Sequence, residues 1–147
     1  MVSTAPMTFQ HGSYELDDDP ARVDVAAAWA FLSTSAYWAT WRQRDDFERQ
    51  LESAWRVVGA YEKSNGAMVG FARAISDGVA LAYLADVYVV PESRGQGLGK
   101  ELVATMIERG PGSGFRWMLH TADAHRLYEG FGFGPVGAMY MERPRQE

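Results

Sequence analysis

The middle of the chain holds three apolar runs, residues 55–62, 67–75 and 79–90, rich in β-branched and aromatic side chains and separated by Ser64-Asn65-Gly66 and Asp77-Gly78. Asn-Gly and Asp-Gly accept positive φ at low cost, so these runs read as strands joined by tight hairpins. On either side the period lengthens to that of a helix. Phe47, Leu51 and Ala54 recur at helical spacing with charges between them, which predicts a helix over 45–54. A second is expected over 23–33, where alanine is dense and Asp24 favours the positive end of the dipole. Leu98, Leu102, Val103 and Met106 share one side of a helix over 97–109, stopped by Gly110-Pro111. Shorter signals give a first strand at 12–16, a buried strand at 115–121, a helix at 124–129 capped by Asp123, and a last strand at 138–142. Residues 1–6 read as a loose tail, and Asp17-Asp18-Asp19-Pro20 as a solvated turn rather than a metal site. The order βααβββαβαβ is that of an α/β fold with helices over a mixed sheet.

Composition narrows the function classes. A chain of 147 residues with 47% hydrophobic content can bury one core, so a single domain over 1–147 is expected. A formal net charge of −5 argues against nucleic acid as a partner, whose binding needs Lys and Arg against phosphates, and suits a cationic small substrate better. No apolar run is long enough for a membrane span, and residues 1–10 lack the basic head and apolar core of a secretion signal, which points to the cytoplasm. Without cysteine there is neither a disulfide nor a thiolate zinc site, and any acyl transfer has no cysteine to pass through. Three scattered histidines without carboxylate spacing make no metal site.

The chemistry starts where the third apolar run breaks, at Val87-Tyr88-Val89-Val90-Pro91-Glu92-Ser93-Arg94-Gly95-Gln96-Gly97-Leu98-Gly99-Lys100. Glycines let the main chain approach a ligand, and a helix opening there turns unpaired N–H groups toward phosphate. A nucleoside-triphosphate loop needs a glycine where Arg94 stands, and Ser or Thr where Glu101 follows Lys100. A dinucleotide fingerprint beginning at Gly95 would place its third glycine one position beyond Gly99. What remains, Arg94-x-x-Gly97-x-Gly99, resembles the pyrophosphate loop of the GNAT superfamily of CoA-dependent N-acetyltransferases. Downstream, Leu127-Tyr128-Glu129-Gly130-Phe131-Gly132-Phe133 looks like the segment that closes the same family's cofactor domain. With Thr121-Ala122-Asp123-Ala124-His125 before it, this block is similar to a small bacterial-type subgroup. The resemblance covers about residues 57–133.

That resemblance implies a mixed, mostly antiparallel sheet with helices on both faces. Two parallel strands, ending here at Val90 and Thr121, splay apart and hold acetyl-CoA in the gap. It implies that Arg94, Gly95, Gln96, Gly97, Leu98, Gly99 and Lys100 form the pyrophosphate loop, and that main-chain groups of Val87, Tyr88 and Val89 grip the pantetheine arm. Thr121 stands where the family often has an asparagine on that arm. Tyr128 matches the tyrosine that protonates the departing thiolate. No metal is implied, and a homodimer is common in the family.

An alkylamine of pKa about 10 arrives protonated and must lose a proton before it attacks the thioester. Some family members carry a glutamate on the strand before the final motif, but residues 115–121 offer only Arg116 and His120. Asp86, an acid inside an apolar strand, is the first candidate for the base, with a structural hydrogen bond as its alternative. His120 at the mouth of the expected cleft is the second, and ordered water the third. Tyr37 and Trp38, between the first two helices, and Arg73 on the hairpin strand are candidates for holding the acceptor, an amine of a small molecule. The alternative function is a non-catalytic acyl-CoA sensor.

Overall fold

A computed structural model describes residues 5–36 and 41–146, so Tyr37 and Trp38 lie outside the described residues. Among these described residues six strands form one sheet whose spatial order is the chain order: β1 (Thr8–His11), β2 (Tyr14–Asp17), β3 (Arg56–Glu62), β4 (Met68–Ser76), β5 (Leu81–Val89) and β6 (Arg116–Met118). Neighbours are antiparallel except β5 and β6, which run parallel. The two hairpins lie where the turn residues put them, with Gly66 at φ +73° and Gly78 at φ +78°. Asp77 Oδ1 accepts the N–H groups of Val79 and Ala80 at 2.9 Å each, which closes the second turn.

Among the described residues four α-helices cover the sheet: α1 (Val25–Thr34), α2 (Arg44–Ser53), α3 (Leu98–Ile107) and α4 (His125–Glu129). Successive residues of β3 point to opposite faces and enter two cores. Val58 and Ala60 pack with Leu102, Val103 and Met106 of α3. Val57 and Tyr61 pack with Leu32 of α1 and Phe47 of α2. Both faces are therefore covered, which is why β3 and β4 are buried along nearly their whole length and read as continuous apolar runs. Asp24 starts α1 as expected, its side chain accepting the Ala27 N–H at 3.0 Å.

Five details of the sequence reading need correction. The first strand is a hairpin, β1 and β2, because Gly12 at φ +56° turns the chain between them. Residues 138–142 form no strand. Asp123 does not cap α4; the Thr121 hydroxyl, two residues earlier, accepts the Ala124 N–H at 3.0 Å instead. β6 is shorter and less buried than expected, because no strand among the described residues pairs with its outer side. The acidic turn is not simply solvated. Asp17 is buried and accepts the Asp19 N–H and an Arg22 nitrogen, while Asp18 binds the Met7 N–H and Arg56.

What positions the site is the parting of β5 from β6. They pair only from Leu81 and Arg116 to Tyr83 and Met118, so among the described residues no strand lies beside Leu84 through Val89 on that edge. On its other edge β5 slips register against β4, from the Phe71–Tyr88 pair to the Arg73–Ala85 pair, and in the slip Asp86 adopts φ +57°. A left-handed backbone costs a residue other than glycine about 1–2 kcal/mol, and aspartate tolerates it better than most.

Candidate active site

A cleft of about 1080 Å³ opens where the two strands part. Its walls include Val87, Tyr88 and Val89 of β5, Thr121 after β6, Tyr128 of α4 and Arg94 of the glycine-rich loop. Asp86, Arg73 and His120 line the same cleft, so these sequence-predicted residues from five separate segments come together. A smaller hollow of about 130 Å³ beside Asp18, Trp55 and Arg56 shares no lining residue with it.

The loop at one end has the chemistry of an anion cradle. Gly95 and Gly97 take φ +81° and +76°, and α3 begins directly after Gly97 with no side chain capping it. Among the described residues, no acceptor is bonded to the N–H groups of residues 95–100. These amides, the dipole of α3 and the cations Arg94 and Lys100 suit a pyrophosphate. The loop is braced from behind, since His11 of β1 lies 2.8 Å from the Gln96 carbonyl and Gln96 Nε2 donates to the Tyr14 hydroxyl at 3.0 Å. His11 is thus a partly covered brace, and only the β1–β2 hairpin reveals the connection. Leu98 is buried beneath the loop, which leaves only its main chain for a ligand.

The centre of the cleft is polar and charged. Asp86 is buried, its two oxygens each 2.8 Å from a terminal nitrogen of Arg42, and Oδ2 also accepts Arg73 Nε at 2.9 Å. Burial alone would raise the Asp86 pKa, but the hydrogen bonds and charges of Arg42 and Arg73 outweigh it and hold the carboxyl below its usual range. Tyr88 lends its backbone to the cleft edge while its ring stacks on Phe31 with centroids 4.0 Å apart. Tyr128 is buried, its ring edge-to-face with Phe133 at 5.7 Å. Thr121 accepts a hydrogen bond through Oγ1 and still has its O–H to give.

At the outer end His120 joins two residues the sequence did not single out. Its Nδ1 meets the Tyr83 hydroxyl and its Nε2 lies 2.6 Å from Glu142. A carboxylate only accepts, so Nε2 carries a proton, and in the neutral imidazole Nδ1 is then the acceptor for the Tyr83 hydroxyl. The Tyr83 pKa is raised, chiefly by burial and then by Tyr140 and Glu142, which keeps the phenol protonated. The chain after α4 lines the cleft here, with Arg145 over the Trp41 ring at 4.1 Å.

The sequence profile of the Acetyltransferase (GNAT) family matches residues 19–133. This chain belongs to the GNAT acetyltransferase family. The Gibberella zeae protein named Putative acetyltransferase FG08082 is 32% identical over 144 residues, covering 85% of this GNAT chain and 81% of its own length. A GNAT-family structure from Xanthomonas campestris pv. campestris is 33% identical with a TM-score of 0.83, over 92% of this chain and 96% of that one. A Clostridium acetobutylicum acetyltransferase structure with acetyl-CoA is 14% identical and shares the fold at a TM-score of 0.64, over 89% of this chain and 94% of that one. The GNAT fold expected from the two motifs, a mostly antiparallel sheet with one parallel pair, is the fold observed. No helix among the described residues is long and apolar enough to cross a membrane.

Proposed function

We propose that this chain is an acetyl-CoA-dependent N-acetyltransferase that moves the acetyl group directly to an amine of a small molecule. The observation that carries the proposal is that Arg94 and Gly99, from the loop whose amides at 95–100 are unpaired among the described residues, line one cleft with Tyr128 at the parting of β5 and β6. Acetyl-CoA supplies a thioester, whose carbonyl must be polarised and whose thiolate must be protonated as it leaves. The loop amides with Arg94 and Lys100 take the pyrophosphate. Main-chain groups of Val87, Tyr88 and Val89 take the pantetheine, with Thr121 donating from the opposite side. Tyr128 gives its phenolic proton to the departing sulfur.

Asp86 fits the structural alternative better than the role of base. A carboxylate held between two guanidinium groups is a weak proton acceptor near neutrality. The proton path runs instead through Tyr83, His120 and Glu142. The Tyr83 oxygen accepts the amine proton while its own proton passes to His120 Nδ1, and Glu142 steadies the resulting imidazolium.

A thiol-release screen of primary and aromatic amines with acetyl-CoA tests this reading. Release that depends on the amine, with an equal amount of acetylated amine, is the expected result. Acetyl-CoA binding by calorimetry with no release across the panel would replace the enzyme with an acyl-CoA sensor.

A further inference from the structure

The charge at the centre of the cleft does not balance. Arg42 and Arg73 are both buried, with side chains only 2% and 6% accessible, and between them stands one carboxylate, Asp86. Burying an uncompensated cation is costly, so an excess of one positive charge at the wall of a cleft is a place for an anion. This local excess runs opposite to the net charge of −5 of the whole chain, which by itself suggests a cationic acceptor.

The donors left over point the same way. Arg42 gives Nη1 to Gln50 at 2.6 Å and Nη1 and Nη2 to Asp86, and its Nε, unpartnered among the described residues, is sealed from the cleft, so Arg42 contributes its charge rather than a free donor. Arg73 gives only Nε to Asp86, so Nη1 and Nη2 have no hydrogen-bond partner among the described residues. Both arginines line the cleft, and the Arg73 terminal nitrogens are not among its sealed, orphaned atoms. Asp86 fixes Arg73 from behind through Nε, which leaves the flat pair of terminal N–H groups as a fork matched to two oxygens. The slip in β5 that turns Asp86 to φ +57° is what sets this carboxylate between the two cations.

We propose that Arg73, positioned by Asp86 and assisted by Arg42, forms a carboxylate-binding subsite, and that the acceptor is an amine carrying a carboxylate, the chemistry of an amino acid. A single excess charge matches a carboxylate monoanion, whereas a phosphate dianion would leave a buried charge of the opposite sign. Of the other charged groups lining the cleft, Glu142 pairs with His120 and Arg145 stacks on Trp41, while among the described residues Arg94, Asp123 and Arg143 make no ion pair with Arg42, Arg73 or Asp86. The subsite rests on the N-acetyltransferase reading only for the identity of its occupant as an acceptor.

The test compares matched amines, each amino acid against its own amide and against an aminoalkyl phosphate of similar length, by thiol release. The expected result is a kcat/KM at least tenfold higher for the carboxylates than for either partner. In Arg73→Gln, where Arg42 still holds Asp86, that ratio should fall toward one. Equal or better turnover of the amides by the unaltered protein overturns the subsite without touching the transferase, and preference for the phosphates overturns its carboxylate character. If no amine is turned over, the transferase reading fails alone, and titration with benzoate and benzamide in the presence of CoA decides the subsite. Tighter benzoate binding that is lost in Arg73→Gln upholds it, and equal binding overturns it.

Discussion

Asp86 joins Arg42 and Arg73 at the centre of the cleft. Asp86→Asn removes the charge that Arg42 and Arg73 face and leaves two buried cations, so unfolding free energy should drop by about 3–5 kcal/mol at pH 7, read by urea denaturation. Because its folded pKa lies below the ordinary carboxylate value, its contribution is fully present above about pH 4 and is lost as pH falls through the folded pKa. Asp86→Asn should therefore flatten the acid side of the stability profile. A different pH signature belongs to His120. His120→Ala should lower kcat at pH 7 by about 10²-fold and recover as pH rises, since the amine then arrives deprotonated; a loss constant with pH would remove it from the proton path. Tyr128, Arg94 and the glycines were legible in the sequence because their signals are local runs with fixed spacing. Arg42 and Tyr83 were not, because their partners lie 44 and 37 residues away in the chain.

The elements most legible in advance were those whose period and turn chemistry agree, β3 to β5 and α3. The β1–β2 hairpin was half seen, since Gly12 marks a turn but strands of four residues give little alternation to read. That hairpin and β3 fix α3 and its loop at both ends. His11 and Tyr14 hold Gln96 at the start, while Arg56 Nη1 donates to the Thr105 and Met106 carbonyls at 2.7 and 2.8 Å near the finish. Arg56 also pairs with Asp18 at 2.9 Å, so Arg56→Met should cost about 3–5 kcal/mol of stability by stranding that carboxylate and two carbonyls. At the other end Gly97→Ala forces a Cβ onto φ +76°, a strain of roughly 1–2 kcal/mol. The expected outcome is a weaker acetyl-CoA Kd with kcat at saturation little changed, measured by calorimetry and steady-state kinetics.

Over the whole molecule, a chain of net negative charge folds so that arginines from several segments collect in one cleft. The segment after α4 was expected to end in a strand. Instead it carries Glu142 to His120 and Arg145 to Trp41 across the outer end of the cleft, a placement set by side-chain pairs rather than by any backbone pattern. Deleting residues 142–147 should therefore lower kcat much as His120→Ala does while leaving acetyl-CoA affinity unchanged. The central claim, that this cleft transfers acetyl groups with Tyr128 protonating the thiolate, is tested most directly by comparing Tyr128→Phe with the unaltered protein. One preparation of each serves for acetyl-CoA calorimetry and amine-dependent thiol release. The account predicts binding within about twofold and a kcat lower by about 10² to 10⁴; an unchanged kcat in Tyr128→Phe would contradict it.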